Sequence, residues 1–500
     1  MLASEQLRNE ANEVTSGNLT YTTYQPIWQY YLESYMGGED YRRAEHLTRY
    51  QLETDREYAA RLRNTPLENH CKSIISVYVS FLFRQTPDRD FGSMGYMPEL
   101  DSILEDADYE GRNMDSFMKQ VSVWSNVFGH AWVLVSKPNI GARTRADEQA
   151  AGLRPYLCLI TPLAVLDWRY TRDSVGRYKL TYFKYLEDIN GDVKTVKEWT
   201  TTEIKTTVVD DSKKKIIEQI IDLNQLGMIP AVCAYAARSP QRGIGISSIS
   251  DIADAQRYIY NATSEMDQSI RLDSHPSLVI GDEVNVSSGA GGVIQMPNGM
   301  DPALKPYVLD FGGANVGNIL EVIRHTTQTI DKLANTGAIR TTETRTASGI
   351  AIQTEFELLN ARLSELADSL ELCEEEIWQI IAQYQGYVWD GVIHYPDSFN
   401  IRDDANELQK LQQAKAIATD PAILTAIDHE LVELMDLDLG EDIAYEEHPE
   451  LDEMVPTTDA NRIPHIQQMI MDGLEDEQIL ELHPEISSSD ITEAKARLLN

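Results

Sequence analysis

Apolar residues recur at Ile249, Ile252, Ile259, Met266 and Ile270, with Gln256 and Thr263 filling the same row. The steps are 3, 4, 3, 4, 3 and 4, the seam of a helix packed lengthwise against other helices. Ser247 and Ser248 stand where a helix cap belongs, and Pro276 follows the end. A second period-3.6 pattern runs through Val316, Ile319, Leu320, Ile323, Ile330 and Leu333, and Gly337 predicts its stop. Between the two helices lies an insert over 276–313. Its alternating Val284 and Val286 and its run Gly289–Gly292 predict a small β element. A third helix is predicted from near Ser348 past Trp378, after a polar stretch over 338–348.

The first half reads as helices followed by strands. Helices are predicted over 41–63, over 67–83 with Leu67, Cys71, Ile74, Ile75, Tyr78 and Leu82 on one face, and over 113–128 up to Gly129. The apolar run 131–135 reads as a buried strand. Segments 157–170, 179–186, 193–207, 216–223 and 232–235 are rich in β-branched and aromatic residues. Asn190-Gly191 is a hairpin turn, and Asp210-Asp211-Ser212 reads as another. Residues 1–40, with Tyr21, Tyr24, Tyr30, Tyr31 and Tyr35, read as an arm that lies on a neighbouring subunit or is loosely held. Beyond the third helix come a short strand over 387–394 and helices over 404–419, 421–436 and 461–472. The fold class is therefore α+β.

Charge changes the picture more than composition does. The net charge is −37. Residues 403–500 hold 25 acidic and 5 basic side chains, a net of −20, so over half the excess sits in the last fifth of the chain. That balance argues against a protein that grips nucleic acid. No run of 18 apolar residues exists, so no membrane span is expected. The first residues lack the blocks of a signal peptide. The four cysteines are widely spread and read as reduced thiols, mostly within apolar runs.

Candidate chemistry fails at each place it is sought. His429-Glu430-Leu431-Val432-Glu433 resembles a zinc-protease helix until Glu433, where a second imidazole is needed. The Gly289–Gly292 run lacks the spacing of a dinucleotide loop, and no phosphate-cradling Gly-x4-Gly-Lys is present. Ser247 is not in a nucleophile elbow. Asp403-Asp404 suits a helix start. The helical turn over 473–491 carries almost no Lys or Arg, so it is not expected to bind DNA. No catalytic residue, metal site or cofactor is expected. The polar stretch Arg340, Thr341, Thr342, Thr344, Arg345 and Thr346 is the one local candidate, since Arg and Thr donate to phosphates without reading bases.

The order helix, β insert, helix, polar loop, long helix resembles the portal, or head–tail connector, proteins of tailed double-stranded DNA bacteriophages. Thr346-Ala347-Ser348-Gly349-Ile350 is similar to that family's signature at the loop-to-helix junction. So are the Ser239-Pro240 to Ile252 run before the first helix, and Tyr58-Ala59-x-Arg61-Leu62 followed by Leu82-Phe83-Arg84-x2-Pro87. The resemblance spans about residues 40–415.

It implies a wing over 41–245, a stem helix over 246–273, a clip over 274–313 and a second stem helix over 314–337. A tunnel loop over 338–348, a long helix and wing strand over 349–400, and an acidic helical crown over 401–500 complete it. It further implies a ring, a dodecamer, at one capsid vertex of the virion, assembled in the host cytoplasm. The ring would pass double-stranded DNA during packaging and ejection. Its partners would be the terminase large subunit, a head–tail adaptor and the major capsid or scaffold protein, with no membrane and no catalysis. On this reading Ile249, Ile252, Ile259, Met266 and Ile270 form a subunit interface, and Glu265, Asp267 and Asp273 line the tunnel, where acidic walls avoid holding phosphate. Two other readings fit the sequence: an acidic, non-catalytic scaffold or adaptor of the virion, and an enzyme whose site is scattered.

Overall fold

The computed structural model describes residues 10–138, 147, 152–274, 277–279, 307–309, 314–340, 349–396, 398–399, 415, 491 and 494–495. The chain divides into two compact units, Met1–Ile401 and Arg402–Asn500. The helices expected over 404–419, 421–436 and 461–472 lie outside the described residues. The first unit is α+β, as the sequence predicts.

The N-terminal tyrosines lie on the chain's own core. A short helix α1 (residues 10–15) buries Ala11 and Val14 against Leu166, Val196 and Val209. Helix α2 (Leu19–Met36) buries Trp28 in the main core, with Tyr21, Tyr24, Tyr30, Tyr31 and Tyr35 against it. The phenols find backbone partners: Tyr21 donates to the Leu163 carbonyl at 2.9 Å and Tyr30 to that of Ala253 at 2.8 Å. A ring buried with its hydroxyl satisfied is a stable packing unit, so residues 10–36 belong to the protomer's core rather than to a free arm.

The charged helix expected over 41–63 is two helices, α3 (Gly38–Arg43) and α4 (Asp55–Asn64). Glu45 takes a positive φ of 55° after the first, and a Thr54–Glu57 capping box starts the second. Helix α5 (His70–Leu82) starts at an Asn69 cap and buries Cys71, Ile74, Ile75, Tyr78 and Leu82. After α6 (Leu100–Glu105), helix α7 (Met114–Phe128) runs from an Asn113 cap to left-handed Gly129, as its pattern predicts.

Two sheets follow. The apolar run after Gly129 becomes β2 (His130–Ser136), the buried centre of a three-stranded antiparallel sheet. It pairs Trp132 with Ile160 of β3 (Tyr156–Ile160) and with Cys233 of β9 (Ala231–Tyr235). The second sheet is a meander of β4 (Val165–Arg172), β5 (Tyr178–Asn190), β6 (Val193–Thr200), β7 (Glu203–Asp210) and β8 (Lys215–Leu223). Gly191 makes the β5–β6 turn with φ 60°. Segment 157–170 is not one strand: Pro162, which has no N–H for a ladder, separates β3 from β4 and sends them to different sheets. Segment 193–207 likewise splits into β6 and β7, folding back at Thr201-Thr202.

The remaining helices are α8 (Ser250–Ser274), α9 (Ala314–Leu333), α10 (Gly337–Arg340) and α11 (Gly349–Gln385). On α11, Leu359, Leu363, Leu366, Leu370, Cys373, Ile377, Ile380 and Ile381 form a buried stripe at helical spacing. Each such Leu or Ile contributes about 1.5–3 kcal/mol before ordering costs. The strand expected over 387–394 is shorter, β12 (Val392–His394), and pairs with a strand the pattern does not announce, β1 (Asp88–Asp90). A fully buried carboxylate holds this corner. Glu374 accepts from Arg89 Nε at 2.6 Å, from Tyr395 Oη at 2.6 Å and from Trp378 Nε1 at 3.3 Å. Arg89 Nη1 also reaches Asp115 on α7 at 2.7 Å. Burial is the largest single influence on Arg89 and works against its charge, but Glu374, Tyr395 and Asp115 together outweigh it, so its pKa is raised.

Candidate functional site

Helices α8 and α9 run antiparallel, joined through a two-stranded tip. Strand β10 (Ser277–Val279) leaves α8 and pairs with β11 (Tyr307–Leu309), which leads back to α9; Leu278 stands opposite Val308. The rest of the insert, Val284, Val286 and Gly289–Gly292 included, lies outside the described residues. With 25 residues, α8 is about 38 Å long at 1.5 Å per residue.

The base of α8 is locked to the core. Ser247 Oγ donates to the Val127 carbonyl at 2.7 Å and accepts from Ile249 N–H at 3.1 Å. Ser248 Oγ lies 2.6 Å from Asn126 Oδ1. So the two serines expected to cap α8 also satisfy the C-terminal end of α7. Gly245 and Gly129 touch backbone to backbone there: a Cβ on Gly245 would lie 1.9 Å from the Gly129 oxygen. No other residue fits, so the glycine before the serines is a packing requirement.

Further along α8, Arg61 of α4 is buried. It pairs with Glu53 at 2.8 Å, donates to Ser264 Oγ at 3.2 Å and stacks 3.9 Å from the Tyr50 ring. The Arg61 hydrogen bond, with lesser contacts, holds the Glu53 carboxyl below its ordinary range. Tyr58 donates to the Leu47 carbonyl at 2.9 Å. The Tyr58-x2-Arg61 pair of the sequence is thus a clamp on the helix.

The seam expected on α8 is filled from within the protomer. Ile249, Ile252 and Ile259 are buried in the main core, and Gln256 bonds Cys71 N–H and the Ser34 carbonyl at 3.0 Å each. Those three isoleucines therefore have no surface to offer a neighbour, which corrects their assignment to a subunit interface. Met266 is half-buried and Ile270 is 43% exposed. The exposed apolar positions of the helices are others: Tyr258 on α8, Leu320, Val322 and Leu333 on α9, and Leu358 and Leu372 on α11. Glu265 is exposed, and Asp267 is paired with Arg271 at 2.9 Å. The side chain of Asp273 lies outside the described residues.

Helix α9 stops one turn before Gly337. Asn335 takes the left-handed conformation at φ 54°, and Thr336 N–H reaches back to the Asp331 carbonyl at 2.9 Å. This is a Schellman stop with asparagine in the glycine role. Tyr78 of α5 donates to the Ala334 carbonyl at 2.6 Å and ties the stop to the core. Helix α10 then ends at Arg340. Its guanidinium is ion-paired with Asp331 at 2.8 Å and donates to His70 Nδ1 at 2.8 Å. That bond places the His70 proton on Nε2, which faces Glu68 at 3.5 Å. Arg340 and Asp331 are 14% and 11% exposed. The expectation that Arg340 contacts phosphate is at odds with this arrangement, since its charge is engaged inside the protomer. Thr341, Thr342, Thr344, Arg345 and Thr346 lie outside the described residues, while α11 begins at Gly349 within the Ser-Gly-Ile signature.

No catalytic arrangement emerges among the described residues. Among the described residues, no group of three or more His, Cys, Asp or Glu side chains could hold a metal, and no helix is long and apolar enough to cross a membrane. A cavity of about 890 Å³ has no histidine in its lining. Burial pushes its Cys233 thiol up, which keeps the sulfur protonated and unreactive.

No known protein family matches the chain by sequence, and no curated protein does. Solved structures similar to it include the virion of the native gene transfer agent particle, at 11% identity and TM-score 0.41, covering 77% of this chain and 97% of that one. Another is the neck of the empty particle computed with C6 symmetry, at 9% and 0.41, covering 73% and 91%. A third is the neck of the native particle computed with C12 symmetry, at 10% and 0.39, covering 71% and 89%. At these identities and scores, the likeness concerns the fold alone.

Proposed function

We propose that this chain is a phage-type portal: a non-enzymatic ring of twelve copies at one capsid vertex, through which DNA is packaged and ejected. The supporting observation is the order of parts at α8–α11. A helix locked into the core, a β tip, an antiparallel return helix, a sharp stop and a 37-residue helix follow one another, with apolar residues left uncovered on the helices. Leu320, Val322, Leu333 and Ile270 are exposed, and a closed head-to-tail ring is the assembly that covers such positions without leaving ends. On this reading the tip docks the terminase large subunit and later a head–tail adaptor, the wing meets capsid or scaffold protein, and Glu265, Asp267 and Asp273 face the channel. Arg340 anchors the base of the tunnel loop through Asp331 and His70, and Arg345 with the threonines of 341–346 meets passing phosphates.

The test is assembly with and without this chain. Shells built in its absence are expected to contain no genome and carry no tail. Shells without it that hold full-length DNA would overturn the reading.

A further inference from the structure

The 890 Å³ cavity lies where the β4–β5 hairpin, strand β9 and helix α11 meet, away from the helix pair. Its lining carries four cations, Arg177, Lys179, Arg238 and Arg242, against two carboxylates, Asp173 and Glu376. That is a local balance of +2 in a chain of net −37.

The cations are only partly neutralised from within. Asp173 is shared, at 3.9 Å from Arg177 and 3.6 Å from Lys179, and its carboxylate already accepts from two backbone N–H groups of its own turn. Arg238 and Arg242 form no ion pair within 4 Å among the described residues. Each lies over a tyrosine ring instead: Arg242 3.6 Å from Tyr178 and Arg238 5.2 Å from Tyr235. Arg172 lies 4.7 Å from the same Tyr178 ring. Glu376 in the same lining is close enough to Arg238 for the two charges to interact, whereas Arg242 has no carboxylate within 4 Å among the described residues. A guanidinium held over a ring keeps its N–H groups available, and its fork can bind a carboxylate with two parallel bonds. The floor between them is apolar, formed by Met228, Ile229, Val232 and Ile380.

We propose that this recess docks an acidic peptide segment of a partner protein, with Asp or Glu carboxylates on Arg238 and Arg242 and apolar side chains on the Ile229–Val232 floor. A nucleic-acid strand fits less well. Its affinity grows with the number of phosphates neutralised, whereas two carboxylates interrupt this wall and an apolar floor offers nothing to a sugar–phosphate chain. The inference stands independently of the portal reading.

The test uses the full chain and a fluorescent peptide of about twelve residues, Asp and Glu interspersed with Leu, followed by anisotropy. Binding is expected, weakening as salt rises. It should be lost when the acids are replaced by Asn and Gln, and weakened at least about tenfold by R238A/R242A, which removes two charge-assisted contacts. R238Q/R242Q keeps the stacked stems and should weaken binding to the same degree, so the test survives poor folding of the alanine pair. No binding by the folded wild-type chain, or binding by both double variants as tight as that of the wild type, would overturn the proposal. So would a single-stranded oligonucleotide that displaces the peptide and depends on the same two arginines.

Discussion

At the residue scale, the informative side chains are the polar ones held inside. His130 is fully buried beside Trp28 and accepts from Gly245 N–H at 3.3 Å. Burial lowers its pKa from 6.5 to about 3, so the folded protein keeps it neutral while an unfolded chain protonates it. Its contribution is present above pH 6.5 and is lost as pH falls towards 3, at about 1.4 kcal/mol per pH unit. Chemical denaturation between pH 6.5 and 5 should show that slope, and His130→Gln should flatten it by about that amount; His46, also lowered by burial, contributes equally to both proteins. Glu374 is the second case. Replacing it with Ala leaves Arg89 buried beside a lost partner, which costs about 3–5 kcal/mol, so a loss below 1 kcal/mol in the same assay would show that water reaches the site. None of these roles is legible in the sequence: Arg61 stands out there as part of a motif, but its Glu53 and Ser264 partners are set by tertiary packing. Arg340 is the reverse case, prominent in the sequence as a loop cation and engaged in the structure by residues 9 and 270 positions away.

At the element scale, period and punctuation carried the reading well where they agreed. Helix α7, hairpin turn Gly191, buried strand β2 and the α8–tip–α9–α11 order are all legible, because each has both a pattern and a stop signal. Two of the misplaced helix ends share a cause: breaks made by residues whose backbone conformation is not predictable from type. Glu45 and Asn335 take positive φ, and the ends of α3 and α9 follow from them. The α8 seam was read correctly as a seam, but a 3–4 repeat does not say whether its partner is the same protomer or the next. The exposed positions decide that. Leu320→Asp with Leu333→Asp, at 39% and 55% exposure, should leave the protomer folded with an unchanged melting temperature and abolish higher assembly. By contrast Ile259→Asp buries a charge in the core, costs several kcal/mol, and should give insoluble or unfolded protein. If the two leucine variants assemble like the wild type, the face of α9 is not an interface.

At the scale of the whole molecule, charge and architecture point the same way. On the proposed reading, the 37 excess negative charges let DNA pass without being held. The described core explains why α8 and α9 form a rigid unit: the Ser247–Asn126 contacts, the Arg61 clamp and the Tyr78–Ala334 bond fix its base from three directions. On the proposed reading, the exposed apolar residues on the helices are covered by repeated copies of the same chain. The most direct measurement is an electron micrograph of the purified full-length chain in negative stain, paired with its mass in solution. The account predicts closed rings with a central hole and a mass near twelve times the 56.5 kDa chain. Compact single particles of 56.5 kDa at every concentration tried would contradict it.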